Sequence, residues 1–165
     1  MRVLLVPAKS DYPYNSLSFD LLAQALPYIA GTLKAHGHEV FGLNMNYQAR
    51  PEPCRETLEK FLIKKIKDCQ PDLIGLSGLS ADYLFVRDAI AILRKEAPHV
   101  PIVGGGGLFT SDAEYTVSEL RPDFAVMDEG EETILDLIQT LEQGGDPETV
   151  DGLVFLKNGR MVRTP

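Results

Sequence analysis

The chain has 165 residues, a formal net charge of −8 at pH 7 and a hydrophobic share of 44%. A chain of this length fits one domain that buries about 70% of its unfolded surface. The negative charge argues against nucleic acid or an anionic membrane as a partner, and no apolar run approaches the roughly 18 residues of a membrane-spanning helix. Two cysteines without metal-site spacing and a start unlike a signal peptide favour a cytoplasmic location.

Strands and helices alternate through most of the chain. Short apolar runs predict buried strands, and apolar positions at helical spacing predict the helices between them. The predicted elements, in chain order, are a strand over 3–6, a helix over 27–36, a strand over 39–43, a helix over 54–69, a strand over 73–76, a helix over 82–97, a strand over 102–103, a helix from Ser111 or Asp112 to 120, a strand over 124–127 and a helix carrying Ile134, Leu137, Ile138 and Leu141.

Five strand–helix units in succession predict an α/β fold of the flavodoxin-like (Rossmann-like) class. We expect a five-stranded parallel sheet in the order 2-1-3-4-5 with helices on both faces. In such sheets, ligands bind at the carboxyl ends of the strands. Four unusual segments fall at that edge: residues 7–19, 77–80, 104–107 and 128–131. The first of them exceeds the usual strand-to-helix connection of roughly 2–6 residues, which indicates a functional or mobile loop.

The last residues follow a different pattern. Asn158 and Gly159, between apolar runs at 153–156 and 161–163, predict a β-hairpin with a type I′ turn. We expect residues 1–150 to form the α/β domain and residues 151–165 to form a hairpin that leads into a further domain. The sequence stops directly after the hairpin, which is typical of a fragment of a longer protein.

Four consecutive glycines follow the fourth strand: Gly104, Gly105, Gly106 and Gly107. A glycine can adopt a positive φ, and its lack of a Cβ lets another group approach the backbone closely. The run is compatible with a loose strand-to-helix loop or with a ligand lying against the main chain. Its position at the carboxyl edge favours the ligand.

Residues for metal binding, phosphate binding or nucleophilic catalysis do not form a recognisable motif. His36, His38 and His99 are expected in turns at the edge opposite the four segments. Ser77 closes the third strand, where a response regulator would need a phosphoacceptor aspartate, so that function is disfavoured.

Carboxylates are concentrated after the fifth strand, at Asp128, Glu129 and Glu131. They are compatible with a general acid/base pair. The alternative is that Glu131 and Glu132 occupy the first turn of a helix, where the helix dipole favours negative charge.

Two short motifs resemble the cobalamin-binding domain family, whose loops carry Asp-x-His-x-x-Gly, Ser-x-Leu and Gly-Gly in that order. The second is present as Ser77-Gly78-Leu79, and the third as Gly104-Gly105. The first is absent, since Pro13 stands where the cobalt-ligating histidine would fall. The resemblance therefore implies cobalamin binding without histidine ligation, with Tyr12, Tyr14 or water at the lower face of the cobalt.

A closer resemblance covers nearly the whole chain. The N-terminal domain of cobalamin-dependent radical SAM enzymes is similar to this chain at residues 27–30 (PYIA), 37–40 (GHEV), 71–75 (PDLIG), 104–105 (GG), 128–133 (DEGEET), 152–154 (GLV) and 163–165 (RTP). This resemblance implies a chain that presents cobalamin to a radical SAM domain of the same protein. That domain would carry a [4Fe–4S] cluster and S-adenosylmethionine for methyl transfer or cyclase-type chemistry, and the fragment alone would catalyse nothing.

The resemblance assigns no catalytic residue and no metal ligand to this chain. It implies cofactor-binding residues in the four segments: Ser10, Asp11, Tyr12, Ser77, Gly78, Leu79, Ser80, Gly104, Gly105, Gly106, Gly107, Asp128, Glu129, Gly130 and Glu131. Two alternatives remain open: a flavodoxin-like interaction module that has lost cobalamin binding, and a flavin or nucleotide binder at the same edge.

Overall fold

The computed structural model describes residues 1–14, 25–46 and 52–165. Its strands and helices alternate as the apolar pattern predicts. In chain order they are β1 (Arg2–Pro7), α1 (Ala25–Ala35), β2 (Glu39–Gly42), α2 (Cys54–Cys69), β3 (Leu73–Ser77), α3 (Tyr83–Glu96), β4 (Ile102–Gly105), α4 (Gly107–Ser111), α5 (Ala113–Leu120), β5 (Phe124–Val126), α6 (Glu131–Glu142), β6 (Leu153–Lys157) and β7 (Arg160–Arg163).

All strands belong to one sheet with the order β2-β1-β3-β4-β5-β6-β7. The first five run parallel, in the predicted order 2-1-3-4-5. β1 lies between β2 and β3, with Leu5 opposite both Gly42 and Gly75. The predicted flavodoxin-like α/β class is confirmed.

The sheet separates two apolar cores, because alternate side chains of a strand point to opposite faces. Leu4 and Val6 of β1 pack on one face, together with α2, α3, α4 and α5. Val3 and Leu5 pack on the other, together with α1 and α6. Burying a Val or Leu side chain contributes about 1.5–3 kcal/mol, so β1 is held from both sides.

The ends of the elements lie within one or two residues of their predicted positions, and α2 matches residues 54–69. Gly37 follows α1 with a φ of +82°, a conformation that a glycine adopts without strain. Of the two residues at which this helix was predicted to begin, Asp112 is the N-cap of α5, and its carboxylate accepts a hydrogen bond from the N–H of Tyr115. Residues 15–19 of the predicted loop over 7–19 lie outside the described residues.

The short helix α4 is a correction to the sequence analysis, which placed Gly107 in a loop. The carbonyl of Gly106 accepts hydrogen bonds from the N–H groups of Phe109 and Thr110, and these bonds close the helical turn. Glycine is a weak helix former, so the local sequence indicated a loop. The buried ring of Phe109 anchors the turn instead.

The hairpin continues the sheet. Asn158 and Gly159 have φ values of 54° and 79°, as a type I′ turn requires. β6 runs antiparallel to β5, with Val154 opposite Ala125. A division of the chain at residue 150 stays a prediction. Among the helices in the described ranges, not one has the length and apolar character needed to cross a bilayer.

Candidate functional site

An apolar crevice lies on the face of the sheet that carries α1 and α6. About 600 Å³ of space in and above it is free of protein atoms, and part of that space is open solvent. The crevice follows β3 from Leu73 to Ser77, a distance of about 13 Å at the usual rise per strand residue. Its lining consists of Leu5, Leu26, Ile29, Leu73, Gly75, Leu76, Ser77, Val103, Gly104, Gly105, Gly106, Val126, Asp128, Gly130 and Ile134.

The glycine run serves three different purposes. A Cβ on Gly104 would lie 2.2 Å from Cζ of Phe109, so Gly104 makes room for that buried ring. Gly106 has a φ of +83°, and a Cβ there would lie 2.9 Å from Oγ of Ser77. A Cβ on Gly105 would meet no atom within 4 Å. Gly105 is therefore the glycine of β4 whose missing side chain leaves open space at the crevice.

Hydrogen bonds join the segments at the carboxyl edge into one surface. The N–H of Ala8 donates to the carbonyl of Ser77 at 2.8 Å, which links the segment after β1 to the end of β3. The N–H of Gly78 donates to the carbonyl of Gly105 at 3.4 Å, and the N–H of Leu108 donates to the carbonyl of Gly78 at 3.0 Å. The edge that the sequence predicted as the ligand site is thus a connected structure.

The segment after β5 is held by α4. Asp128 has a φ of +54°, a left-handed conformation that is uncommon outside glycine. Its N–H donates a 3.1 Å hydrogen bond to Oγ1 of Thr110. This contact places Asp128 in the lining of the crevice, at the end where Ser77 closes β3.

The other acidic residues of that segment lie outside the crevice lining. Glu129 is exposed, and Glu131 and Glu132 form the first turn of α6. Negative charge is favoured at a helix N-terminus, so the position of these two glutamates accounts for their charge without a catalytic role. A Cβ on Gly130 would lie 3.0 Å from Val126 and 3.6 Å from Ile29, which explains a glycine there.

The segment after β1 lies on the opposite face of the sheet. The buried side chain of Asn46 accepts a 3.0 Å hydrogen bond from the N–H of Ser10 and donates one of 2.9 Å to the carbonyl of Ala8. Lys9 is fully buried, and its Nζ lies 2.6 Å from Oδ1 of Asp11. These contacts hold the backbone of residues 8–11 against the segment that follows β2.

Tyr12 is fixed to α3. Its hydroxyl donates a 2.5 Å hydrogen bond to Oδ2 of Asp88, and its ring contacts Phe85 edge-on at 5.5 Å. Asp88 also lies 2.9 Å from Nη1 of Arg55 and 2.9 Å from Nη2 of Arg87. The Tyr12 ring therefore belongs to the α2/α3 core rather than to the crevice.

This cluster shifts the pKa values of both partners. Burial raises the pKa of Tyr12, and the hydrogen bond to Asp88 and its negative charge raise it further. Burial alone would raise the pKa of Asp88. Hydrogen bonds from Tyr12 and Arg87, with the charges of Arg87 and Arg55, outweigh burial and hold that pKa below its usual value. At neutral pH the pair is a neutral phenol and a carboxylate.

The structure divides the residues predicted for the site into groups. Ser77, Gly104, Gly105, Gly106, Asp128 and Gly130 line the crevice. Leu79 and Ser80 are exposed beside it at the carboxyl edge, and Gly107 begins α4.

Gly78 is buried against Ala8, Asp82 and Val86 on the other side of the sheet. Ser10, Asp11 and Tyr12 lie on that side too, whereas Tyr14 is 72% exposed. The assignment of these residues to a ligand stays a prediction.

The apolar lining was not predicted as part of the site. Leu26 and Ile29 of α1 and Ile134 of α6 look like ordinary core residues in the sequence, so helical spacing alone does not separate them from the core. Gly75 did carry a signal, because an isolated glycine inside a strand often marks a close approach. A Cβ at Gly75 would lie 2.8 Å from Cδ2 of Leu5.

All three histidines lie away from the carboxyl edge. Nδ1 of His38 is 3.2 Å from the N-terminal amine, at the start of β1. His36 directly follows α1, and His99 lies in the turn before β4. Their predicted position at the opposite edge is confirmed. In the described parts of the chain, His, Cys, Asp and Glu side chains do not form a group of three that could hold a metal ion.

The chain matches known proteins along most of its length. The family model of the B12 binding domain matches residues 14–138. An anaerobic magnesium-protoporphyrin IX monomethyl ester cyclase of Synechocystis sp. is 29% identical over 171 residues, covering 99% of this chain and 32% of the relative. An uncharacterized methyltransferase of Pyrococcus horikoshii is 28% identical over 105 residues, covering 63% of this chain and 23% of the relative. The chain thus spans a third or less of the length of these curated relatives.

Solved structures show the same fold. The radical S-adenosylmethionine methyltransferase TsrM from Kitasatospora setae superposes with a TM-score of 0.81 at 24% identity, covering 99% of this chain and 30% of that one. The cobalamin-dependent S-adenosylmethionine radical enzyme OxsB superposes with a TM-score of 0.73 at 22% identity, covering 99% and 22%. Together with the family model, which covers most of the chain, the fold leads to one conclusion: this chain belongs to the B12 binding domain family.

Proposed function

We propose that this chain binds cobalamin with the nucleotide tail in the apolar crevice and the corrin ring over the carboxyl edge of the sheet. The single observation that carries the proposal is the open crevice beside Gly105, in a chain that belongs to the B12 binding domain family. The crevice runs along the sheet and reaches the carboxyl ends of β3, β4 and β5, where α/β folds bind ligands.

The residues present fit the cofactor. A nucleotide tail ends in a flat aromatic base, which matches a crevice lined by aliphatic side chains such as Leu73, Val103 and Ile134. Gly105 leaves room for the tail to pass the end of β4. Ser77 and Asp128, at the carboxyl end, offer a hydroxyl and a carboxylate for hydrogen bonds with the polar parts of the cofactor.

Bound cobalamin supplies the cobalt chemistry, and the chain supplies binding and orientation. The crevice residues exclude water from the tail. The exposed Leu79 and Ser80 at the carboxyl edge, beside the crevice, would face the ring. Tyr14, which is exposed while Tyr12 is hydrogen-bonded to Asp88, is the first-loop tyrosine free to cover the lower face of the cobalt.

We further propose that the chain is the cobalamin domain of a radical SAM enzyme, with residues 1–150 holding the cofactor and the hairpin leading to the catalytic domain. The similarity to TsrM and OxsB over 99% of the chain supports this. So does the similarity to the magnesium-protoporphyrin cyclase of Synechocystis sp.. A [4Fe–4S] cluster and S-adenosylmethionine would then belong to the rest of the protein, for methyl transfer or cyclase-type chemistry.

A binding experiment tests the proposal. The purified chain is mixed with hydroxocobalamin and desalted, and its visible spectrum is recorded. We expect retained corrin absorption for the unmodified chain and none for Gly105→Leu, whose side chain would enter the crevice. Gly42→Leu is the matched control, since Gly42 is also a strand glycine with open space at its Cβ but lies outside this crevice.

The outcomes separate the alternatives. Loss of the corrin from the unmodified chain during desalting would favour an interaction module without cobalamin. A flavin spectrum after incubation with FMN, which Gly105→Leu abolishes, would favour a flavin site at the same edge. Equal retention by the unmodified chain and a folded Gly105→Leu variant would show that the tail does not pass Gly105.

A further inference from the structure

The lining of the crevice has an uneven distribution of polar groups. Among the described residues that line it, Ser77 and Asp128 alone carry polar side chains. Ser77 ends β3 and Asp128 follows β5, so both lie at the carboxyl end. From there toward Leu73, at the start of β3, the side chains that line the crevice are aliphatic.

The strands of the sheet form the floor of the crevice, and their main-chain groups are already hydrogen-bonded to neighbouring strands. Gly75 of β3 lies between Leu5 of β1 and Val103 of β4 in the parallel ladders, so its N–H and C=O groups are used within the sheet. Main-chain groups of a central parallel strand pair with both neighbours and do not remain for a ligand. As far as residues 1–14, 25–46 and 52–165 line it, the inner part of the crevice therefore offers apolar contact and no hydrogen-bonding partner.

We propose that this crevice selects among cobalamin-type cofactors by the polarity of the tail base, and accepts apolar bases such as dimethylbenzimidazole or p-cresol in preference to adenine. The inference rests on the proposed function, since it requires the tail to enter the crevice. Val103, in the middle of the floor and level with Gly75, is the principal specificity-determining residue.

The physical basis is the cost of burying an unpaired polar group. Adenine carries an exocyclic amine and ring nitrogens that are hydrogen-bonded in water. Inside an aliphatic crevice they lose those bonds, and one unsatisfied group weakens binding by roughly 5- to 150-fold. Dimethylbenzimidazole has methyl groups in place of the amine and keeps one ring nitrogen with a free lone pair, and p-cresol has a methyl group and no nitrogen. Burial of either therefore leaves fewer polar groups unpaired than burial of adenine does.

Coordination of the tail base to cobalt has to be separated from this effect. A base that coordinates the cobalt must first detach before it can enter the crevice, which lowers its apparent affinity. A p-cresol tail has no nitrogen and never coordinates. The cofactor with a p-cresol tail therefore reports the apolar contact alone. The decisive comparison is the ratio of the adenine-form to the p-cresol-form dissociation constant in two variants of the chain, because the cost of detaching adenine from cobalt is the same in both.

The first experiment measures dissociation constants of the 165-residue chain for four corrinoids: cobalamin, the p-cresol form, the adenine form and cobinamide, which lacks the tail. We expect the p-cresol form to bind at least fivefold more tightly than the adenine form, and cobinamide to bind most weakly. Adenine-form affinity equal to or above that of the p-cresol form would overturn the inference. Failure of all four to bind would instead refute the proposed function.

The second experiment changes the floor itself. Val103→Thr adds one hydroxyl at nearly constant volume, which gives a buried amine a partner. We expect it to reduce the ratio of adenine-form to p-cresol-form dissociation constants at least threefold. Val3→Thr is the matched control: Val3 is buried in the same core but does not line the crevice, so its ratio should stay unchanged. Equal ratios of the two dissociation constants in Val103→Thr and in the unmodified chain would overturn the role proposed for Val103. If Val103→Thr does not fold, the four-corrinoid series on the unmodified chain still decides whether the crevice is selective.

Discussion

The hydroxyl of Tyr12 donates a 2.5 Å hydrogen bond to the buried carboxylate of Asp88, 76 residues further along the chain. This bond fastens the segment after β1 to α3, and Arg55 connects the same carboxylate to α2. The first-loop backbone is thereby held on one face of the sheet while the crevice occupies the other. A cofactor at the carboxyl edge would meet a loop whose position at Tyr12 is already set by α3.

We expect Tyr12→Phe to destabilise the fold by about 1.5–3 kcal/mol, the usual worth of a hydrogen bond to a charged group. The loss should lie at the lower end, because Asp88 keeps Arg55 and Arg87 as partners. Urea unfolding measures the difference. Tyr115→Phe is the control, since Tyr115 is 57% exposed, and its stability should remain within about 0.5 kcal/mol of the unmodified chain.

The same pair predicts the pH dependence of stability. The pKa of Asp88 is held below its usual value, so its stabilising contribution is full above that value and is lost as the pH falls through the lower, folded pKa. The stability difference between the unmodified chain and Asp88→Asn should therefore be constant near neutral pH and shrink below about pH 4. A difference that persists unchanged at pH 3 would contradict the assignment.

The pKa of Tyr12 is raised, so its contribution has the opposite pH dependence: it is present below the ordinary tyrosine pKa near 10 and is lost as the pH rises through the folded value. The chain has six tyrosines. In an absorbance titration, we expect Tyr12 to stay protonated where ordinary tyrosines ionise. Tyr12→Phe should then show the same amplitude in the ordinary range as the unmodified chain. A smaller amplitude in the variant would refute the raised pKa.

Gly104→Ala should cost about 1–3 kcal/mol of stability, because the added Cβ would lie 2.2 Å from the buried ring of Phe109. The neighbouring Gly105→Ala, with open space at its Cβ, should be nearly neutral. Phe109→Leu in the Gly104→Ala background should recover part of the loss, measured as a coupling energy in a double-mutant cycle. If the two substitutions change the free energy of unfolding additively, the Phe109 ring and the Cβ added at position 104 do not interact.

Ser77→Leu should weaken cobalamin binding about tenfold or more, through steric filling at the mouth of the crevice and loss of a hydroxyl partner. Ser77→Ala separates the two causes, since it removes the hydroxyl without filling space. Ser118→Leu, at an exposed position on α5, controls for a general effect of leucine. Equilibrium dialysis gives the affinities, and unchanged binding by Ser77→Leu would place the tail elsewhere.

Cobalamin bound to this chain should have no histidine on the cobalt. The three histidines lie at the amino edge, and a six-residue strand such as β1 separates the two edges by about 20 Å. Electron paramagnetic resonance of the reduced, bound cofactor should show no nitrogen splitting that depends on His36, His38 or His99. Splitting that disappears in His38→Ala would assign the chain to the histidine-ligating branch.

The sequence alone determined the elements and their order, with α4 as the exception. Apolar periodicity located α2 to the residue and the strands to within one or two residues, because strands and helices follow from local repeats of apolar side chains. The strand–helix alternation favoured the order 2-1-3-4-5, which the five parallel strands have; that the hairpin extends the same sheet to seven strands was not predicted. The turn at Asn158 and Gly159 could also be predicted from local sequence, since a type I′ turn requires particular residues at its two central positions.

Tertiary structure alone decided what each residue of the edge does. Gly104 and Gly105 are identical in sequence, yet one accommodates Phe109 and the other faces open space, because their contacts come from different elements. Tyr12 lies away from the crevice because of Asp88, a partner in α3. Such contacts join residues far apart in the chain, where no local repeat reveals them. The crevice itself exists only because α1 and α6 are packed across four strands, a spatial arrangement that no single segment encodes.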